Sequence, residues 1–549
     1  MWYNNARFLN QNILKGLQMI QYKSSKQQTL EGFYTPFDTQ LDKNNRWVKL
    51  AAAIPWDLLA EGYYKSLSPK NGRKSIDARI IIGSVILKHK LKLGDEEIVE
   101  QIKENPYFQY FIGYDGYEYK IPFVPSLFVE IRKRMGMQVF VDFQQAIVDE
   151  VDALKDKITN KQKAVKQPKD NDDEPPNKTS NNEVKQKTED PITHQGKLII
   201  DATVVEQAIR YPTDLGLLNE AREKTEAIID ILYKQTQLKT KPRTYRKIAR
   251  SDYLAVVKQK KPKYKTIRNG IKQQLQYLRR NIKHIDGMLD VLNDVTHPPL
   301  KYKHMRQLWV IKQLILQQEY MYKNKVKRCD DRIVSIAQPH VRPIVRGKQN
   351  KLVEFGSKLN VSLTTDGISY VNHIGWNNYN EGKDMELLVN DYKRQYGYYP
   401  DAVVADPLYG SRENRKFLKG LNIRFAGKPL GRPPKITSEN KSEQKRLKKQ
   451  RKEEYLMRIP IEGKFGQGKS AYSLGYIRAK TKSTSEAWIN SIFLVMNLLV
   501  LYKFFLSPKK IHRLIVQLCE SRGMKKISSI NNTLNQGKWV NPKIVHFNF

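Results

Sequence analysis

Two aspartates stand where a hard cation could be held. The stretches KLIIDATVV (residues 197–205) and YPDAVVADP (residues 399–407) are short and apolar, and each carries an acid in it or at its end, Asp201 and Asp406. Burying a bare carboxylate is costly unless it is paired or bound to metal. Two such acids on neighbouring strands repel each other until a cation arrives. Mg2+ is commonly held by one or two carboxylates plus substrate phosphate, and phosphodiester chemistry with two metal ions needs that arrangement. The plainer reading, that each Asp caps a turn, competes most strongly for Asp406, which precedes Pro407.

A second group is Tyr455, Arg458, Glu462 and Lys469, spaced so that on one helix all four would share a face. Arg grips a phosphate through two bonds, and Lys acts as a point charge. Pro460 fits only the first turn of a helix, so the helix is expected to start near Ile459, with Tyr455 and Arg458 just before it. The bland alternative is a solvated basic face. Gly463, Gly468, Lys469 and Ser470 match a nucleotide phosphate loop in letters. Such a loop follows a buried strand, where Pro460 does not belong, so no nucleotide cofactor is expected. The glycines fit better as places where a DNA backbone could approach. Gly431-Arg432-Pro433-Pro434-Lys435 resembles a minor-groove hook, although a solvated linker is the favoured reading.

These residues need elements to place them. Ile80, Ile81, Ile82, Val85 and Ile86 give a helix face, and Asp95 is expected to cap the next helix, which Asn105-Pro106 ends. Another helix opens at Pro125-Ser126 and carries Arg132, Lys133 and Arg134. Short helices with basic ends suit a helix-turn-helix-like module, and a plain bundle fits as well. Residues 1–48 are polar and weakly patterned. The chain then reads as an N-terminal helical, DNA-binding region (1–150), a disordered polar linker (151–196) and a basic tail (507–549). Between these, a catalytic region (197–213 and 345–506) is interrupted by a helical insertion (214–344). Two strands joined at Asp366-Gly367 follow the insertion. With residues 214–344 removed, the order is three strands, helix, strand, helix, strand, helices. That is the α/β order of an RNase H-like mixed sheet with a large helical insertion after its first strand, preceded by an all-helical domain.

Composition narrows the partner. The 549 residues carry 97 Lys plus Arg against 56 Asp plus Glu, a formal net charge of +41. That excess calls for a polyanion, and nucleic acid is favoured over an anionic membrane surface. Cys329 and Cys519 are the only cysteines, too few for a disulfide framework or zinc spacing, and a reducing cytoplasm fits. The opening MWYNNARFLNQN has no signal-peptide pattern. The apolar run Trp488–Leu506 approaches membrane-spanning length, but Asn490, Ser491, Asn497 and Lys503 interrupt it, so a buried helix on a sheet is expected.

Tyr455, Arg458, Glu462 and Lys469 resemble the YREK signature of DDE insertion-sequence transposases. DATVVEQAIRYPTDLGLLNEARE, RPIVRGKQNKLVEFGSKLNVSL, PLYGSRENRKFLKGLNIRFAGKPLGRPPK and IEGKFGQGKSAYSLGYIRAKTKSTSEAWI are similar to one branch of that family. DARIIIGSVILKHKLKLGDEEIVEQIKENPYFQYFIG resembles the helical domain that precedes its core. The likeness spans roughly residues 50–150 and 197–505. It implies metal ligands Asp201, Asp406 and Glu462, and two Mg2+ ions for which Mn2+ can substitute. It also implies phosphate contacts from Tyr455, Arg458 and Lys469, to which Arg412 and Lys464 are added as DNA-binding candidates. The implied partners are transposon ends and target DNA, engaged by a homodimer or higher assembly on a bacterial nucleoid. A DNA-binding protein with a decayed site is the alternative. One departure is Leu408, where many members have Gly before the Tyr that follows the second Asp.

Overall fold

The computed structural model describes residues 23–24, 34–67, 74–164, 194–292, 297–345, 352–427, 429–431, 437–438 and 440–506. Most of the expected linker, the stretch after Gly431, Cys519 and the tail 507–549 lie outside them.

Eight helices open the described chain: α1 (Pro36–Gln40), α2 (Arg46–Ala53), α3 (Trp56–Tyr64), α4 (Ala78–Leu91), α5 (Asp95–Glu104), α6 (Pro106–Phe111), α7 (Leu127–Arg134) and α8 (Met137–Ala164). Three expectations change here. Residues 36–40 are helical, because Thr35 and Asp38 form a reciprocal cap across that first turn. Asp95 is not a cap but the first helical residue after Gly94. Its carboxylate takes Arg132 at 2.7 Å and the buried Lys88 at 3.0 Å instead. The linker does not begin at residue 151, because α8 runs through it while Val148, Val151 and Leu154 continue its apolar period.

Six strands follow: β1 (Lys197–Glu206), β2 (Arg342–Val345), β3 (Val353–Leu363), β4 (Ser369–Gly375), β5 (Ala402–Val404) and β6 (Arg424–Ala426). The sheet order is β2-β3-β1-β5-β6, with β4 also on β3. β1 runs antiparallel to β3 and parallel to β5, and β5 runs parallel to β6. The β3–β4 hairpin turns at Asp366-Gly367, where Gly367 takes φ of 86°. This mixed sheet with its helical additions matches an RNase H-like fold. β2 is a small surprise, a strand that ends the insertion by pairing with the first residues of β3.

Between β1 and β2 lie α9 (Asp214–Tyr233), α10 (Arg246–Val257), α11 (Tyr264–Val291) and α12 (Tyr302–Lys323). They bury apolar clusters of their own, one around Leu218, Leu278 and Ile311. After β4 come α13 (Met385–Tyr396), α14 (Arg412–Gly420), α15 (Lys441–Leu456), α16 (Ile459–Ala471) and α17 (Lys482–Leu506).

The two sheet faces bury different partners. Leu198, Ile200 and Val403 pack under α13 and α14. Ile199, Val361 and Val404 belong to a larger core that includes α16, α17 and the N-terminal helices. Among the described residues α17 alone has the length and apolarity to cross a membrane, yet 67% of its most apolar window is buried inside the protein. Asn490, Ser491 and Asn497 face inward, and Asn497 donates to the Ser369 carbonyl at 2.8 Å and accepts from the Ser369 N–H at 3.0 Å. That pair fixes β4 to the helix.

Candidate active site

Parallel pairing sets Ile199 beside Val404. Carrying that register two residues further brings Asp201 beside Asp406, at the end of β5. Both acids have the strand parity of Ile199 and Val404, the face on which α16 packs through Ile461 and Phe465. Pro460 sits in the first turn of α16, as the sequence required, and Glu462 lies in that same turn. The helix dipole favours a negative charge there. Tyr455 lies in the last turn of the preceding helix α15 and Arg458 in the break before α16, so the four spaced residues do not share one helix. Buried Glu454 holds that break to the sheet by pairing with Arg424 of β6.

Arg458 lies among the three acids. Its Nη2 is 3.5 Å from Asp201 Oδ2, 3.4 Å from Asp406 Oδ2 and 3.3 Å from Glu462 Oε1. The other oxygen of each aspartate serves its own backbone. Ala202 N–H donates to Asp201 Oδ1 at 2.8 Å, and Leu408 N–H donates to Asp406 Oδ1 at 3.1 Å. Asp406 therefore caps a turn and also faces the cluster. Asp201 and Arg458 side chains are 18% and 12% exposed, against 46% for Asp406 and 58% for Glu462. Burial pushes the Asp201 carboxyl above its usual range and Asp406 and Glu462 push the same way, while Ala202 N–H and Arg458 oppose them. Arg458 Nε has no hydrogen-bond partner among the described residues.

Three hard oxygen donors around one cationic nitrogen fit a divalent ion in donor chemistry. Among the described residues, however, no three His, Cys, Asp or Glu are grouped closely enough to hold a metal ion. The carboxylates are spread around a guanidinium, and an ion bound at about 2.0–2.1 Å would require them to close in.

Behind Asp406 lies a polar layer that sequence reasoning missed. The Pro407–Tyr409 turn buries Tyr409, whose hydroxyl donates to Asn360 Oδ1 at 2.8 Å. Asn360 Nδ2 donates to Asp384 Oδ2 at 3.0 Å, and His373 Nδ1 is 2.8 Å from the same oxygen. Asn414 donates to the Tyr409 carbonyl at 2.9 Å. The available signal was a buried Asn in the middle of an apolar strand. Leu408 fits the turn without strain, its N–H being the one Asp406 uses.

The other candidates divide. Tyr455 and Arg412 are exposed, and Lys469 is half-buried on α16. Lys464 does not join them. Two residues beyond Glu462 the helix has turned inward, so Lys464 is buried and donates to the Gly367 carbonyl at 2.9 Å. Burial, with Lys503 nearby, lowers its ammonium to a pKa of about 8. The phosphate-loop lettering falls inside the continuous helix α16, so no such loop forms.

Residues 403–499 match the family described as "Transposase DDE domain", and residues 35–134 match "Transposase domain (DUF772)". The two matches together are similar to a DDE transposase domain architecture, and the RNase H-like sheet is consistent with it. A relative in Rhizobium meliloti, the uncharacterised protein ORF8 of the nfe locus, is 33% identical over 120 residues. That likeness covers 21% of this chain and 56% of the relative. No solved structure matches the chain.

Proposed function

We propose that this protein is a metal-dependent transposase that cleaves DNA at the ends of an insertion sequence and joins the freed end to target DNA. The observation that carries this reading is the meeting of Asp201, Asp406 and Glu462 around one guanidinium at the end of an RNase H-like sheet. In this reading the three carboxylates hold two Mg2+ ions, or Mn2+ in their place. Such ions supply an activated water at neutral pH and charge neutralisation at the leaving oxygen. Asp201 is the fixed ligand, shielded in the sheet, and Glu462 is the exposed one that closes the set. Arg458 turns its charge from the acids to a DNA phosphate, with Nε as a spare donor for a two-bond grip. Tyr455, Lys469 and Arg412 remain proposed DNA contacts, and Lys464 drops out because its ammonium is buried. In the first step water oxygen bonds to phosphorus at the element's end and the 3′ oxygen leaves with a proton. In the second, that hydroxyl attacks target phosphorus and displaces a target 3′ oxygen. The partners of this chemistry are DNA and a second protomer, working in the cytoplasm without nucleotide.

A second reading has one observation in its favour. Arg458 stands where a cation would, which suits a DNA-binding protein that no longer cleaves. Nicking of a plasmid carrying the element's ends, with Mn2+, separates the two. Cleavage by the wild type that falls at least ~10³-fold in Asp201→Ala, Asp406→Ala and Glu462→Ala, with end binding kept, fits the transposase. Wild-type nicking by Asp406→Ala removes that residue from the site.

A further inference from the structure

Helix α15 turns its charge to solvent. Its docked side is held by buried Glu454, which pairs with Arg424 of β6 and accepts from Gln450 Nε2 at 3.1 Å. Gln444, Leu447 and Arg451 lie on that side and are half-buried. On the solvent side Lys441, Lys445, Lys448, Lys452 and Tyr455 are all exposed, and they advance by four, three, four and three residues, which sets them in one line. Among the described residues none of these lysines pairs with an acid. Like charges three and four residues apart weaken a helix. Lys, Gln, Arg and Leu are good enough helix formers to hold it, but a polyanion laid along the line would remove the repulsion.

We propose that α15 is the arm that holds target DNA, lying along the sugar-phosphate backbone of a duplex of no fixed sequence and leading it to the acids around Arg458. This rests on the transposase reading and names the DNA partner of one surface. The line of side chains runs about 21 Å at 1.5 Å per residue, enough for about six base pairs of duplex. Arg458 follows two residues after the helix, within 3.3–3.5 Å of Asp201, Asp406 and Glu462. The Glu454–Arg424 joint ties the arm to the sheet that carries the site.

The chemistry of the line selects the partner. Lysine is a point charge that meets phosphate without reading bases. It suits the DNA into which an element inserts, whereas an element's end must be told apart from other DNA and needs contacts to base edges. An anionic membrane is the competing polyanion. A helix lying on a membrane sinks an apolar face into it, and α15 has only Tyr455 and Leu456 as exposed large apolar side chains.

The test loads the full chain with a pre-cleaved element end, a duplex that stops at the freed 3′ hydroxyl, and then adds a labelled duplex of random sequence. Amide hydrogen exchange across residues 441–456 should slow at least ~5-fold when the random duplex is added, and not when the end alone is bound. In fluorescence anisotropy the combined Lys445→Gln, Lys448→Gln and Lys452→Gln variant should bind the random duplex at least ~10-fold more weakly at about 0.1 M salt. Its slope of log affinity against log salt should be smaller by about 2.7, or about 0.9 per lost contact. Gln keeps helix propensity, and the exchange arm needs no variant. Full slowing with the end alone gives α15 to the end and overturns the proposal. So does binding of the random duplex with α15 exchange and salt slope untouched, which leaves a solvated face. Slowing by phosphatidylserine vesicles and not by duplex gives the arm to a membrane. A chain that binds no end duplex sinks the transposase reading and this one with it, a failure distinct from the other three.

Discussion

Arg458 makes one charge serve three acids. Its guanidinium lies within 3.5 Å of Asp201, Asp406 and Glu462 and offsets the repulsion that like charges at that spacing would otherwise feel. A resident cation must also be displaced. Arg458→Ala is therefore expected to bind Mn2+ about tenfold more tightly, equivalent to ~1.4 kcal/mol, while nicking of element ends falls. Electron paramagnetic resonance titration reads the first effect, and unchanged Mn2+ affinity would contradict the competition. Tyr409→Phe acts from behind. It strands Asn360 Oδ1 in the interior, at a cost of about 1–3 kcal/mol. The turn carrying Asp406 should loosen, so nicking should drop while end binding stays. Equal nicking by Tyr409→Phe and wild type would make the polar layer purely structural.

At the scale of elements, the joints are polar. Asp95 accepts Arg132 and buried Lys88, and both cations also lie over the Trp488 ring of α17, Lys88 Nζ at 4.4 Å and Arg132 Cζ at 5.3 Å. Burial works to raise Asp95, but Arg132 and Lys88 outweigh it and hold the carboxyl below its usual range. A depressed acid contributes stability above its unfolded pKa of about 4, and that contribution is lost as pH falls through the folded value. Asp95→Ala should cost about 3 kcal/mol at neutral pH, because it leaves Lys88 buried without its acid. Thermal melts at pH 7 and pH 3 should show the mutant's deficit shrinking in acid. Gly356 is a second joint: a Cβ there would run into the Val205 carbonyl across the β1–β3 pair. Gly356→Ala is expected to lower the urea midpoint by the equivalent of about 1–3 kcal/mol.

The same joints explain what could be read in the sequence. Asp201 and Asp406 were legible because an acid in a β-branched apolar run is rare and expensive. Pro460 gave the start of α16, and Asp366-Gly367 gave the hairpin. Asp95 misled, because its side chain was taken by residues far along the chain, and a local rule cannot see Arg132. Lys464 misled for a similar reason: its neighbours advertise a basic surface, but the helix turns it toward Gly367. The place of Arg458 among the acids depends on a break between two helices, which spacing on one ideal helix hides.

At the scale of the whole molecule, the net charge of +41 sets what the proposed function predicts for DNA. If phosphate contacts dominate, log affinity for DNA should fall linearly with log salt, by about 0.9 per contact displaced. A flat profile in fluorescence anisotropy would argue that this basic chain binds by another route. The N-terminal helices and the sheet share their largest core, and α17 lies between them. The last described element to be synthesised is thus the one on which the earliest helices close. A ribosome must pass residue 506 before either part can finish folding, so nascent chains cut short by a stop codon upstream of Lys482 should be cleared by proteolysis rather than persist as DNA-binding fragments.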